Sequence, residues 1–417
     1  MKTGEESHLT ILGQDSQGLQ PRYLGFATPK SGSGADAVEA LVSHLDELEV
    51  SLEDVVCVGC DGTAANTGRL NGAVSLFEVK FDREVQRSIC MLHQAELGFR
   101  HLFVSLDGTT TGPNSFSGPL GTLAGGDLSE LRPRTFTPLV PANPIVLPSG
   151  VARRLSNDQK QLYRHIQAVC AGKMPPKVAR SKIGPLCHAR WITIQTRILR
   201  VFMSSVNSAH YPKLRKLAKY IIDIYFPLHM DIKYKYSIVY GALHLFNELK
   251  LIRECVKGSK DVKLLYDVLR NNCHFAHPHS ILLSMLADSS FNTRKRAIDI
   301  IHTIRSSEVL SHGYYLPKFN TKAKTYIDMC TMEEIDNKFY YINNFDDYIP
   351  ITEPPLIRGR NLSLYINSPF KSDLSCHTQA VERAVALTTR VSKTVCGRIN
   401  QTAEAMLIIE GRRSRSV

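Results

Sequence analysis

A few groups of residues in this 417-residue chain have the type and spacing to do chemistry. Asp61 follows the apolar run Val55-Val-Cys-Val-Gly-Cys60 and precedes Gly62, Thr63 and Asn66. A carboxylate at the C-terminal end of a central strand sits where open α/β sheets hold their ligands, and Gly62 lets the chain turn sharply there. The same Asp is equally suited to cap a helix that starts in the following Gly-Thr-Ala-Ala. Cys90-Met-Leu-His93 places a thiol and an imidazole on one side of a turn, half of what a tetrahedral zinc site needs. Cys187-His188, Cys273-His274 and Cys376-His377 are adjacent pairs without metal-type spacing, so packing is the better reading of Cys90 and His93 and zinc the poorer one. Cys57-x-x-Cys60 lies inside the apolar run, away from the helix N-terminus that activates a thiol. Glu382, in Cys376-His-Thr-Gln-Ala-Val-Glu-Arg383, falls one residue off the apolar stripe of a C-terminal helix, either aimed into a cleft or exposed beside Arg383.

Charge supplies the remaining candidates. The net charge of +12 is not spread evenly: residues 151–223 hold 15 Lys or Arg against Asp158 and Asp223, while the rest of the chain is close to neutral. Such a segment suits a polyanion such as nucleic acid, or else a set of solvated helix faces. Arg197, Arg200, Lys213 and Lys216 are expected on exposed sides, facing DNA phosphates, because the apolar stripes beside them must turn inward. No G-x-S-x-G and no G-x-x-x-x-G-K-[ST] is present, which argues against serine hydrolase and P-loop chemistry.

The elements that must position these residues follow from periodicity. Residues 7–12 and 22–28 read as a β-hairpin, and Val38, Leu41, Val42, Leu45 and Leu48 form one helical stripe. The run 55–60 lacks alternation and reads as a strand buried on both faces. A helical stretch over 65–79 and a strand over 87–92 extend an α/β pattern to about residue 105. Seven of the 20 prolines fall between 107 and 150, a linker or long surface loop. Helical stripes follow at Trp191, Ile194, Ile198 and Val201, and from Leu214 to Tyr225; residues 310–372 are irregular, and a last helix starts near Thr378. Ten cysteines without a repeating pattern and a polar N-terminus point to a reducing compartment, nucleus or cytoplasm, and the longest apolar runs are too short to span a membrane.

In order, Asp61-Gly-Thr-Ala-Ala-Asn66, Cys90-Met-Leu-His-Gln-Ala-Glu-Leu97, His188-Ala-Arg-Trp191 and His377-Thr-Gln-Ala-Val-Glu-Arg383 resemble the landmarks of hAT-type DNA transposases. Closer still is the likeness to a group of transposon-derived animal proteins that share Asp-Gly-Thr, the Asp107-Gly-x-x-x-Gly-Pro113 loop and the Cys-His-Thr-Gln-Ala-Val-Glu-Arg run. The resemblance implies an α/β ribonuclease-H-like core interrupted by a large all-helical insertion. It divides the chain into a first core part (1–105), the Pro/Gly-rich linker (106–150), the helical insertion (151–369), the closing core helix (370–400) and a tail (401–417). It also implies Mg²⁺ or Mn²⁺ held by two Asp and one Glu, with Asp61 as the second Asp and Glu382 as the Glu, and Arg190 and Trp191 near the DNA.

A pair of metals about 4 Å apart stabilises both the attacking and the leaving oxygen of an in-line phosphoryl displacement. The family's first Asp sits on a first strand that pairs with the hairpin, and Asp15 and Asp36 are poor substitutes. The expectation is therefore a transposase remnant that lacks this strand and has little or no cleavage activity, or else a domesticated, non-catalytic nuclear protein that binds DNA or a protein, with homo-oligomers open. If Asp61 and Glu382 share a metal site, their carboxylate oxygens should lie within roughly 8 Å of each other.

Overall fold

Alternating side chains near the N-terminus produce the expected hairpin. The computed structural model describes residues 9–13, 22–52, 55, 57–82, 85–110, 115–128, 131, 135–143, 147, 155–184, 191–305 and 316–330. Strand β1 (Leu9–Gly13) pairs antiparallel with β2 (Arg22–Ala27), with a bulge between Ile11 and Leu12. Helix α1 (Gly34–Glu47) begins where Ser33 accepts the Asp36 N–H at 3.1 Å, and it buries Val38, Val42 and Leu45. Leu48, placed on the same stripe by spacing, is 41% exposed because the helix has already ended at its C-cap.

Strand β3 (Cys57–Cys60) runs parallel to β4 (Gln86–Ile89). Burial on both faces is not observed: Cys57, Val58 and Cys60 are half-buried and Gly59 is exposed. Among the described residues β3 belongs to a sheet of only two strands, and its apolar packing is against the cluster of Val38, Val42, Val74, Phe77 and Val85. The helical stretch between the strands is two helices, α2 (Ala64–Thr67) and α3 (Ala73–Lys80). They are separated where Gly68 and Gly72 approach so closely that a Cβ on Gly72 would lie 2.3 Å from the Gly68 nitrogen. The buried Glu78 of α3 pairs with Arg87 of β4, which also donates to Ser75 at 3.2 Å.

Helix α4 (Met91–Asp107) starts directly after β4, so the strand expected over 87–92 is cut short. The Pro/Gly-rich stretch that follows is less of a linker than composition suggests. Helix α5 (Pro119–Gly125) is capped by the Asp107 carboxylate, which accepts the N–H groups of Leu120 at 2.9 Å and Gly121 at 2.7 Å. Leu120, Ala124, Leu128, Phe136 and Leu139 are buried in the main core.

The helical body comprises α6 (Asn157–Ala171), α7 (Pro176–Ala179), α8 (Ile192–Ser204), α9 (Tyr211–Tyr220), α10 (Phe226–Tyr234), α11 (Gly241–Cys255), α12 (Asp261–Asn271), α13 (Pro278–Leu286) and α14 (Phe291–Arg305). Both expected stripes turn inward: Ile194, Ile198 and Val201 of one and Leu214, Leu217, Ala218, Ile221, Ile222 and Tyr225 of the other are buried, and Trp191 is half-buried. A π-helical turn, Ile221–Tyr225, joins α9 to α10 without a break. Pro227 has no N–H to offer the Asp223 carbonyl one turn back, and the wider turn relieves the ring clash. That carbonyl receives the Cys255 thiol instead, at 3.9 Å. Among the described residues the fold is mixed α/β and mostly helical with small sheets, and no helix is long and apolar enough to cross a membrane. The helix expected near Thr378 lies outside the described residues.

One polar cluster sits in the middle of the helical body. Glu248 of α11 is 1% exposed and, among the described residues, receives only the Gln94 amide, at 3.4 Å, while the nearby Tyr220 hydroxyl and the Gln94 carbonyl oxygen have no partner there. Burial pushes the Glu248 carboxyl up to about 8. Between its ordinary value of 4.5 and that point the folded chain holds a proton the unfolded chain has released, so stability declines as pH rises through this window. Glu248→Gln should remove that decline and donate to the orphaned oxygens as well. Urea unfolding should show little difference between variant and parent at pH 5 and a clearly more stable variant at pH 8.

Candidate functional site at the end of strand β3

Asp61 is the first residue past β3, and one of its oxygens organises the turn that follows. Its Oδ1 accepts three hydrogen bonds, from the Thr63 N–H at 3.0 Å, the Thr63 hydroxyl at 2.7 Å and the Asn66 amide at 2.7 Å. The N-cap of α2 is Thr63, so Asp61 holds the turn without being the cap residue. Its Oδ2 accepts no hydrogen bond among the described residues, which leaves one carboxylate oxygen available. Partial burial alone would raise the carboxyl's pKa, but the Thr63 bonds, the charge that His93 carries in the acid range where Asp61 titrates, and the Asn66 bond outweigh it and hold Asp61 below its ordinary range.

The parallel neighbour brings the second element. The Cys90 N–H donates to the Cys60 carbonyl at 2.8 Å, carrying the ladder one step past the strands, and α4 begins at the next residue. His93 is in the first turn of α4 and packs on the Asp61–Gly62 turn, where a Cβ on Gly62 would sit 3.4 Å from its Cδ2. Burial lowers the His93 pKa; Asp61 opposes this and Arg100 adds to it, so the ring is neutral at pH 7. Cys90 is buried, and burial together with Asp61 pushes the Cys60 thiol up to about 12, which keeps it protonated and unreactive. Among the described residues no group of three or more His, Cys, Asp or Glu side chains gathers as a metal cluster would.

Helix α4 carries the surface onward from Asp61. Arg100, seven residues after His93 and thus about two turns along, is exposed, and its guanidinium lies 5.9 Å from the centre of the Trp191 ring. Trp191 meets Phe99 and Phe103 edge-on at 6.1 and 5.7 Å, so the half-buried indole is anchored to α4. Asp61, His93, Arg100 and Trp191 therefore follow one another along this helix. Arg100 escaped sequence reasoning, although its spacing from His93 on one helix face would have pointed to it. Arg190 and Glu382 lie outside the described residues, and so does any approach of Glu382 to Asp61.

The cations expected to face DNA are placed differently. Arg200 is 2% exposed and donates to the carbonyls of Val178 at 2.6 Å, Ala179 at 2.7 Å and Ser181 at 3.2 Å. Arg197 is half-buried and donates to the carbonyls of Ala124, Gly126 and Gly184. The expectation of exposed guanidiniums is thus corrected: helix C-termini leave carbonyls without partners, and the ends of α5 and α7 rest on α8, where these two arginines satisfy them. Lys213 is exposed but donates to the Leu106 carbonyl at 2.6 Å, and Lys216 pairs with the buried Asp261.

No protein-family model, curated protein or solved structure matches the chain. The reading of the site therefore stands on its geometry. Because the folded Asp61 carboxyl titrates below the unfolded one, its contribution to stability is complete above the ordinary value of 3.8 and is lost as pH falls through the folded value. Thermal melts of Asp61→Asn and the parent from pH 7 to pH 2.5 should differ at neutral pH, with the parent more stable, and converge at the acid end.

Proposed function

We propose that this chain derives from a hAT-type DNA transposase, that its α/β part is a ribonuclease-H-like core, and that Asp61 is a metal-holding carboxylate of that core. The observation that carries the reading is Asp61 itself. It is an ionised carboxylate at the C-terminal end of a parallel strand, with one oxygen saturated by three donors and the other open. A hard divalent cation takes oxygen ligands of this kind, so Asp61 fits Mg²⁺ or Mn²⁺. When bound, the metal supplies charge stabilisation for a phosphoryl displacement. The chain's own residues hold the carboxylate ionised, keep the neutral His93 against the turn and present Arg100 along α4 for a phosphate.

Topology supports the same reading. Hairpin, helix, strand and parallel strand follow in the order the transposase likeness requires, and the described strands form two separate sheets of two. A second reading is a domesticated, non-catalytic protein that binds DNA, and the cations of 155–184 that pair with no carboxylate among the described residues favour it equally.

Metal binding tests the first reading directly. At ten times its dissociation constant Mn²⁺ should stabilise the parent by about 1.4 kcal/mol, read as a rise in melting temperature, and leave Asp61→Asn unmoved. An equal rise in both would place the metal elsewhere and remove the transposase-type site. Nicking of plasmid DNA in Mn²⁺, abolished in Asp61→Asn, separates a working nuclease from the domesticated binder.

A further inference from the structure

The charge excess of the helical body divides into two populations. All but one of the cations on α8 and α9 are engaged with the fold: Arg197 and Arg200 on carbonyls, Lys213 on the Leu106 carbonyl, Lys216 on Asp261 and Lys219 on Asp223, with the exposed Arg215 as the exception. Those of α6 and α7 are not. Residues 155–184 contain Lys160, Arg164, Lys173, Lys177, Arg180 and Lys182 against a single acid, Asp158. None of these six pairs with a carboxylate among the described residues, and all but the half-buried Lys160 are exposed.

The backbone that displays them is fixed from beneath. The buried Arg200 guanidinium holds the carbonyls of Val178, Ala179 and Ser181, and the Ser181 hydroxyl donates to the Val178 carbonyl at 2.7 Å. From α6, the Gln161 amide donates to the Lys182 carbonyl at 2.6 Å, which brings Lys182 beside the helix that bears Arg164. With its carbonyls anchored at 178, 179, 181 and 182, the loop offers its cations at set positions and avoids the ordering cost a mobile basic tail incurs on binding.

The surroundings narrow the partner. No large hydrophobic side chain of 155–184 is exposed, so the surface has neither an apolar wedge for a membrane nor an aromatic ring on which an unpaired base could stack. A cationic surface without an exposed aromatic ring matches a duplex backbone, which offers closely spaced phosphates and needs no stacking partner. We propose that the hairpin of α6 and α7, presenting Arg164, Lys177, Arg180 and Lys182 from a loop held by the buried Arg200, is the surface that binds the phosphates of double-stranded DNA. The inference deepens the DNA reading above and places binding at residues other than those that spacing singled out.

The test compares two charge-matched variants of the full chain. One carries Lys177→Glu, Arg180→Glu and Lys182→Glu; the other carries Lys257→Glu, Lys295→Glu and Arg296→Glu, also at exposed positions. Circular dichroism and melting temperature report whether each is folded, and Lys177→Gln, Arg180→Gln and Lys182→Gln replace the reversals if the first set is not. Binding of a 30-base-pair duplex of arbitrary sequence, a 30-nucleotide single strand and poly-glutamate is then measured across salt concentrations. With roughly 0.9 units of log–log salt slope per phosphate contact, the hairpin reversals should flatten the duplex slope by about 2 to 3 and weaken binding about 100-fold or more at 0.1 M salt. The control set should change much less. If the duplex binds and both sets weaken it equally, the hairpin is not the site although the DNA reading stands. If the duplex fails to bind the parent even at low salt, the DNA reading itself fails. Binding of poly-glutamate in place of the duplex, lost on hairpin reversal, would identify an acidic protein as the partner and overturn the proposal.

Discussion

The burial of helix α4 is the constraint on which the rest of the structure depends. Eleven of its 17 residues are buried, which a helix tolerates only where other elements cover it on most sides. Its first turn closes the parallel pair at Asp61, and its middle packs against α9, α10, α12 and the π-helical turn. Its last residue, Asp107, caps α5. Contact with α9 is so tight at Gly98 that a Cβ there would fall 2.1 Å from the Tyr220 hydroxyl. The parallel strand pair and the helical body therefore share one helix.

That shared helix gives the candidate site its electrostatic character. Asp61 stays ionised because its turn feeds three donors to one oxygen, and His93 stays neutral because α4 half-buries it beside Arg100. The Cys60 thiol at the end of β3 is kept protonated by burial, so it competes neither as nucleophile nor as a soft ligand. What remains accessible is a hard oxygen donor, followed along the helix by an exposed guanidinium and a half-buried indole. This combination suits phosphate chemistry better than acyl transfer or thiol redox chemistry.

The helical body shows why a count of cations is a poor map of a binding surface. An arginine carries five donors and no acceptor, and the cheapest partners for them inside a fold are carbonyls stranded at helix ends. Arg197 and Arg200 take that role for α5 and α7, and Lys216 and Lys219 are drawn to buried carboxylates. Only after these are subtracted does the outward-facing population on α6 and α7 stand out, and the subtraction links the two, since Arg200 holds the loop that carries Lys177, Arg180 and Lys182.

Local pattern was enough for the hairpin at 9–27, for α1 and for the inward stripes of α8 and of α9 with its π-turn, because each is set by side chains a few residues apart. The turn at Asp61 was legible for the same reason, its partners Thr63 and Asn66 being two and five residues away. Partners distant in the chain decided everything else. Arg197 and its acceptor at Ala124 are 73 residues apart, Lys213 and Leu106 are 107 apart, and Gln94 and Glu248 are 154 apart. Spacing could place Arg200 beside an apolar stripe but could not show that the end of α7 rests on it. Likewise, the apolar run of β3 could not report that only one strand flanks it among the described residues. Periodicity tells which way a residue faces on its own element; whether that face meets water, a carbonyl or another helix is settled by the elements packed on it.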